Sequence, residues 1–181
     1  SLRSWDFFEI PKSVNSACNV GGFGTDGTLS SLLGAALVHP DKLYFGVLGD
    51  LAFFYDMNAL GNRHWGKNIR VLLVNNGKGC EFTHYLNQSR TLVRDYAKNL
   101  GINYLSASSK EDFLENMGTF LSTEINKSYL FEVFTRDTDE NEALRLITST
   151  GLVGDVKQVL KEKVGNVIGE KGMEFVKRIL K

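Results

Sequence analysis

Cysteine, proline and net charge are what this chain has little of: two cysteines, two prolines and a formal charge of zero in 181 residues. Cys18 and Cys80 cannot make a disulfide framework, so a reducing cytoplasm is the default compartment. Basic and acidic residues number 21 each, which leaves no basic face and argues against nucleic acid as the main partner. No apolar run approaches a membrane span, and no basic-then-apolar signal opens the chain, so no membrane is expected. No internal repeat or low-complexity tract stands out. The apolar share of 43% and charged share of 23% are those of a globular protein, and the length suffices for one domain with a core. The first residue is Ser1 and aromatics crowd the start (Trp5, Phe7, Phe8), so we expect a piece of a longer protein whose aromatics packed against another part of it.

Strand and helix patterns alternate along most of the sequence. Leu43–Leu48 and Ile69–Val74 are short apolar runs of the kind buried in a parallel sheet. Thr25 and Asp26 are placed to cap a helix from about Gly27 to Val38, which His39-Pro40 ends. Small residues along that helix, Gly34 and Ala35 among them, allow a neighbour to approach closely. A helix is expected from about Phe53 to Trp65, another over Thr91–Leu100 with Gly101 as its stop, and a short strand over Ile102–Leu105. Ser108-Ser109-Lys110-Glu111 offers a capping box for a further helix, and Tyr129–Thr135 reads as a strand. The pattern predicts an α/β class with a mostly parallel sheet flanked by helices. From Asp139 no strand appears. Asn141–Ser149, Asp155–Val164 and Glu170–Lys181 read as short amphipathic helices, so residues 1–138 are expected to form the α/β domain and 139–181 a helical C-terminal appendage.

The chemistry concentrates where the two apolar strands end. Gly49-Asp50-Leu51 follows the first and Asn75-Asn76 the second, with 24 residues between Asp50 and Asn75. A right-handed crossover of that length brings both ends to one sheet edge, where open α/β sheets bind ligands. A carboxylate and a carboxamide side by side there suggest Mg²⁺, which in such sites carries a phosphorylated ligand. A diphosphate would be further stabilised by amides at the start of the following helix. Each feature alone has a plain structural explanation, Asp50 as a helix cap and the asparagines as turn residues. Their pairing at matching strand ends carries the inference. Gly77-Lys78-Gly79 continues as a loop with permissive backbone.

Gly22-Phe23-Gly24-Thr25-Asp26-Gly27 matches G-x-G-x-x-G, but Asn15–Val20 before it is a poor strand. A glycine-lined turn beside a ligand is the more economical reading; a non-catalytic nucleotide-binding module is the alternative. His39, His64 and His84 do not cluster with each other or with cysteine, so no zinc site is expected. Asp56 and Asn58 either brace the metal loop or face solvent.

Gly49-Asp50 followed by Asn75-Asn76 resembles the thiamine diphosphate motif. A closer resemblance is to the menaquinone-pathway 2-succinyl-5-enolpyruvyl-6-hydroxy-3-cyclohexene-1-carboxylate synthase family. Gly24–Ser30, Gly49–Leu60 and Val74–Gly79 carry it, and it spans about Ser1 to Thr135. It implies the three-layer diphosphate-binding domain, usually the last of three. Asp50 and Asn76 would bind Mg²⁺ through side chains and Lys78 through its carbonyl. Gly24, Thr25, Asp26, Gly27, Gly49, Leu51, Ala52, Asn75 and Gly79 would contact thiamine diphosphate. The activating glutamate belongs to a separate pyrimidine-binding domain, contributed by the other subunit of a homo-oligomer (dimer or tetramer). No catalytic residue is therefore expected here, and this stretch alone should bind cofactor weakly and catalyse nothing. The implied reaction is decarboxylation of a 2-oxo acid, with the carbanion transferred or released as aldehyde. The family's arginines fall at Val20 and at Trp5, unless Arg3 substitutes for the second, and Lys78 stands where the family usually has glycine. A paralogue acting on another 2-oxo acid, phosphonopyruvate or sulfopyruvate decarboxylase-like, is the alternative. A degenerate domain kept for dimer assembly is a third.

Overall fold

The structure, a computed structural model, describes residues 10–79, 84–85 and 89–149. The chain divides into two compact units, Ser1–Asp137 and Thr138–Lys181. In the first, four parallel strands form the sheet: β1 (Tyr44–Gly49), β2 (Ile69–Asn75), β5 (Asn103–Ala107) and β6 (Tyr129–Phe134), in the order β1-β2-β6-β5. β3 (Lys78–Gly79) and β4 (His84–Tyr85) make a small antiparallel pair beyond the end of β2. Among the described residues four α-helices accompany them, α1 (Thr28–Val38), α2 (Asp50–Tyr55), α3 (Leu92–Asn99) and α4 (Lys110–Phe120), and α5 (Asp137–Ser149) begins at the boundary and belongs to the second unit. The α/β class and parallel sheet expected from the alternation are what the chain forms. Of the three C-terminal helices, the first falls within α5; Asp155–Val164 and Glu170–Lys181 lie outside the described residues.

Sheet residues divide by parity, because successive side chains point to opposite faces. Ile69, Val71, Leu73 and Leu130 pack with Leu29, Leu33, Phe53, Val93 and Ala97 from the helices on one face. Leu72, Leu105, Phe131 and Val133 pack with Phe113, Met117 and Phe120 of α4 on the other. Continuous burial of β2, with Ile69, Arg70, Val71 and Leu73 all inaccessible, explains why it reads as an unbroken apolar run. Arg70 is the exception within that run. Its guanidinium donates to the carbonyls of Lys67 (2.8 Å), Lys127 (2.6 Å) and Glu124 (2.9 Å), and lies 4.8 Å from the Tyr129 ring centroid. It thereby ties the loop before β6 to the start of β2.

Several boundaries differ from expectation for identifiable reasons. The helix expected over 53–65 starts at Asp50, runs to Tyr55, and gives way to a 3₁₀ turn over Met57–Gly61. Asp56, at φ −123°, interrupts it and sends its carboxylate to α1, accepting from Ser30 N–H (2.6 Å) and Ser30 O–H (2.7 Å). Thr25 and Asp26 do not cap α1. Gly27 occupies the cap position with φ 65°, and Asp56 supplies the acceptor from another element. The cap of α4 is Ser109, accepting from Asp112 N–H (3.1 Å), while the Asp112 carboxylate accepts from Ser108 N–H (3.1 Å). The box sits one residue later than its sequence match, because Asp112 rather than Glu111 reaches back. Gly34 of α1 has open space around it; the close approach to this helix is Gly46 beneath Leu32.

Asn68, only 3% exposed, holds the connection from α1 to β1. Its amide donates to Ala36 C=O (3.0 Å) and Lys42 C=O (3.0 Å). Asn68→Ala leaves those carbonyls without their donor, and denaturant melts should show a loss of about 2 kcal/mol, or roughly 5–10 °C in midpoint. A change under about 0.5 kcal/mol would contradict this role.

Candidate functional site

β1 and β2 run in parallel register with Gly49 opposite Val74, so Asp50 and the Asn75-Asn76 pair leave the sheet side by side. Asp50 starts α2 directly and is 4% exposed. Its Oδ1 accepts from Leu51 N–H (2.7 Å), and its Oδ2 accepts from Lys78 N–H (3.1 Å). Asn76 Oδ1 accepts from that same Lys78 N–H (2.9 Å). One donor is shared by two side-chain oxygens from two strand ends, so both oxygens face one point. The first strand end presents an acid and the second an amide, as the spacing predicts. Burial raises the Asp50 pKa above the usual carboxylate range, while the amides of Leu51, Gly77, Lys78 and Asn76 pull it back down.

The donor set fits a hard divalent cation. Ionised Asp50 has a high desolvation cost, and a cation held by the remaining lone pairs of these two oxygens would offset it. Among the described residues, no group of three or more His, Cys, Asp or Glu gathers anywhere. A tight, all-protein transition-metal cage is therefore not what these residues build. One carboxylate and one carboxamide leave positions for water and phosphate oxygens, the pattern Mg²⁺ favours. A diphosphate has fewer amides to use than the sequence suggests, since Leu51 N–H is taken by Asp50 itself.

Asn75 faces elsewhere. Its Nδ2 donates to Glu132 Oε1 (2.7 Å) and its Oδ1 accepts from Gly77 N–H (3.0 Å). Glu132, on β6, is fully buried and accepts from Tyr104 O–H (2.6 Å) on β5. Desolvation pushes the Glu132 carboxyl up, against the bonds from Tyr104 and Asn75; burial and the nearby carboxylate push the Tyr104 phenol up further still. Neither residue was singled out from sequence. The available signal was a lone acid inside the apolar run Tyr129–Phe134.

The glycine turn precedes α1. Gly22, Gly24 and Gly27 have φ of 53°, 77° and 65°, and a Cβ on Gly22 would lie 2.5 Å from the Asp26 carboxylate. Asn19 staples the turn: its Nδ2 donates to Asp26 C=O and its Oδ1 accepts from Gly21 N–H. Thr25 O–H donates to Gly22 C=O (2.7 Å). The start of α1, which the turn leads into, is tied to the Asp50 segment by Thr28 O–H donating to Ala52 C=O (3.3 Å) and by the Asp56–Ser30 bonds. Asp56 thus ties the start of α1 to the end of α2 and bonds to no residue of the Asn76–Lys78 loop in these contacts. Residues 15–20 form no strand, so the G-x-G-x-x-G match lacks the setting of a dinucleotide fingerprint. Gly77, at φ 72°, turns the chain after Asn76, and Gly79 pairs with His84 in the small hairpin. His64 lies away in a contact with Arg63, and Cys80 falls outside the described residues.

The raised pKa values have a signed consequence. A carboxyl whose folded pKa exceeds its unfolded value contributes stability that is complete below the unfolded pKa and lost as pH rises through the folded one. For Asp50 and Glu132 the reference values are 3.8 and 4.5. In EDTA, the chain should lose stability as pH rises above these reference values, and Asp50→Ala should show a shallower loss. Thermal melts over that rise in pH check this; a variant slope as steep as the wild type would contradict it.

No family model matches the chain. It is 37% identical over 160 residues to the 2-succinyl-5-enolpyruvyl-6-hydroxy-3-cyclohexene-1-carboxylate synthase of Phocaeicola vulgatus, covering 80% of this chain and 28% of that protein. The synthase of the same name from Bacteroides fragilis is 34% identical over 160 residues, with the same 80% and 28% coverage. The matched stretch is longer than the Ser1–Thr135 that the motifs carry. Among solved structures, the thiamine diphosphate-dependent 4-hydroxybenzoylformate decarboxylase of Rhodococcus jostii shares the fold, with TM-score 0.51 and 21% identity, over 63% of this chain and 24% of that one. The chain spans little more than a quarter of the length of its curated relatives. Over four-fifths of its length the chain is thus similar to these menaquinone-pathway synthases, and it shares its fold with a domain of a thiamine diphosphate-dependent decarboxylase.

Proposed function

We propose that this domain holds the diphosphate of thiamine diphosphate through Mg²⁺, within an enzyme that decarboxylates a 2-oxo acid. The observation that supports this most is the convergence of Asp50 Oδ2 and Asn76 Oδ1 on one backbone N–H. Asp50 and Asn76 would ligate the ion by their side chains and Lys78 by its carbonyl. The turn Gly24-Thr25-Asp26-Gly27 would lie against the cofactor, with Gly49, Leu51, Ala52, Asn75 and Gly79 completing its surroundings. When bound, thiamine diphosphate supplies the electron sink for loss of carbon dioxide from the 2-oxo acid. The chain's own part is to neutralise and orient the diphosphate and to exclude water from the buried Asp50 side. No residue of this chain is assigned a proton-transfer role. That role falls to the glutamate of a pyrimidine-binding domain, delivered across the interface of a cytoplasmic homodimer or tetramer. Residues 139–181 would be a helical extension of the domain.

The substrate need not be that of the synthases. Val20 stands where the synthase family carries an arginine, and at 82% exposed it offers no cationic contact. A paralogue that releases an aldehyde, as phosphonopyruvate or sulfopyruvate decarboxylases do, accounts for that change; product analysis with and without an acceptor separates release from ligation.

Removing a partner behind a metal ligand costs roughly 10- to 100-fold in affinity, and removing the ligand should exceed that. Asp50→Ala in the full-length protein should weaken Mg²⁺-dependent thiamine diphosphate binding by more than about a hundredfold in titration calorimetry. Unchanged binding would overturn the assignment, and NAD binding with no Mg²⁺ requirement would favour the nucleotide-module alternative.

A further inference from the structure

Glu132 is the acidic side chain with no solvent exposure among the described residues. Among the described residues no cationic side chain bonds to it: its hydrogen-bond partners are the Asn75 amide and the Tyr104 phenol, and Arg90 acts through its field. When ionised, this carboxylate can only accept, and it then admits one orientation of the Asn75 carboxamide, the one the structure holds, with Nδ2 toward β6. Oδ1 must then face the loop, where it accepts from Gly77 N–H (3.0 Å). The Asn75 backbone is pinned as well, its carbonyl accepting from Thr135 N–H (3.1 Å). One residue beyond Gly77, the Lys78 N–H meets Asp50 and Asn76. A continuous line of bonds therefore runs from Tyr104 through Glu132, Asn75 and Gly77 to the two candidate metal ligands.

We propose that Glu132 is a positioning residue for the candidate Mg²⁺ site: by fixing which way the Asn75 amide faces, it sets the Gly77 turn that aims Asn76 Oδ1 and the Lys78 backbone at the ion. The metal-binding half of this inference rests on the reading of the sheet edge as a Mg²⁺–diphosphate site; the loop-orienting half does not. A neutral acceptor–donor such as glutamine would accept either orientation of Asn75, and the inverted one would set Nδ2 against Gly77 N–H. Burying an acid costs stability, and here the return is a single conformation of the loop.

Exchanging the two chemistries tests the relay. In Asn75→Asp two acceptors face each other across β2 and β6. In the double variant Asn75→Asp/Glu132→Gln, the introduced glutamine donates to the introduced aspartate and accepts from Tyr104, while that aspartate still accepts from Gly77 N–H. Two readouts apply to the full chain: Gly77 amide exchange by NMR without divalent ions, and the Mg²⁺ half-saturation for thiamine diphosphate binding by calorimetry. Asn75→Asp should speed Gly77 exchange and raise the Mg²⁺ half-saturation by about tenfold or more each. The double variant should recover both to within about threefold of wild type. A double variant as impaired as Asn75→Asp in Gly77 exchange overturns the proposal. Recovery of exchange without recovery of Mg²⁺ dependence overturns the link to the ion. Should wild type bind no Mg²⁺–thiamine diphosphate, the functional reading and that link fall together, and Gly77 exchange still decides whether Glu132 orients the loop. Should Asn75→Asp not fold, a folded double variant with wild-type exchange supports the relay, and an unfolded one overturns it.

Discussion

The Lys78 amide, shared between Asp50 Oδ2 and Asn76 Oδ1, is the contact on which the site depends. It shows that two side chains, 26 positions apart in the sequence, are delivered to a common point by the ends of two parallel strands. Everything that positions those ends serves that contact. The β1–β2 register sets Gly49 opposite Val74, α2 begins at Asp50 without an intervening loop, and Gly77 turns the chain back within one residue. A one-residue shift in register would send Asp50 past Asn76 and dissolve the arrangement.

Buried charge is distributed unevenly along the sheet, and the asymmetry has a physical meaning. At the start of β2, the Arg70 guanidinium is answered at Nη1 and Nη2 by carbonyls from two loops, while its Nε is buried without a partner. At the far end, Asp50 and Glu132 are both acids whose burial raises their pKa. Glu132 is answered by two side-chain donors and Asp50 by backbone amides. Neither meets a cationic side chain among the bonds described, so this edge is the one that gains from a bound cation. The domain thus has one end stabilised by its own backbone and one end that becomes stable in full with its ligand, a division that suits a binding edge.

Sequence patterns reached far into this structure where periodicity and local chemistry agreed. The buried parallel strands at 44–49 and 69–75 announced themselves as apolar runs, and the Asp50 and Asn76 pair followed from their length and separation. What escaped was set by long-range contacts. Asp56 caps α1 across 26 residues, so the local candidates Thr25 and Asp26 were the wrong ones. The helix expected to reach Trp65 stops at Tyr55 because Asp56 leaves the helical path to make that contact. Glu132 was invisible as a site residue because its partners, Asn75 and Tyr104, lie 57 and 28 positions away. The Ser109–Asp112 cap was legible but displaced by one, since two serines and two acids in succession offer more than one box.

The central claim is that the two converging oxygens are the seat of a divalent ion. Anomalous diffraction from full-length protein crystals grown with Mn²⁺ and thiamine diphosphate tests it most directly. A peak within coordination distance, about 2.2 Å, of both Asp50 Oδ2 and Asn76 Oδ1 is the result this account predicts. A peak placed elsewhere, or a diphosphate bound with no ion between it and Asp50, would contradict it.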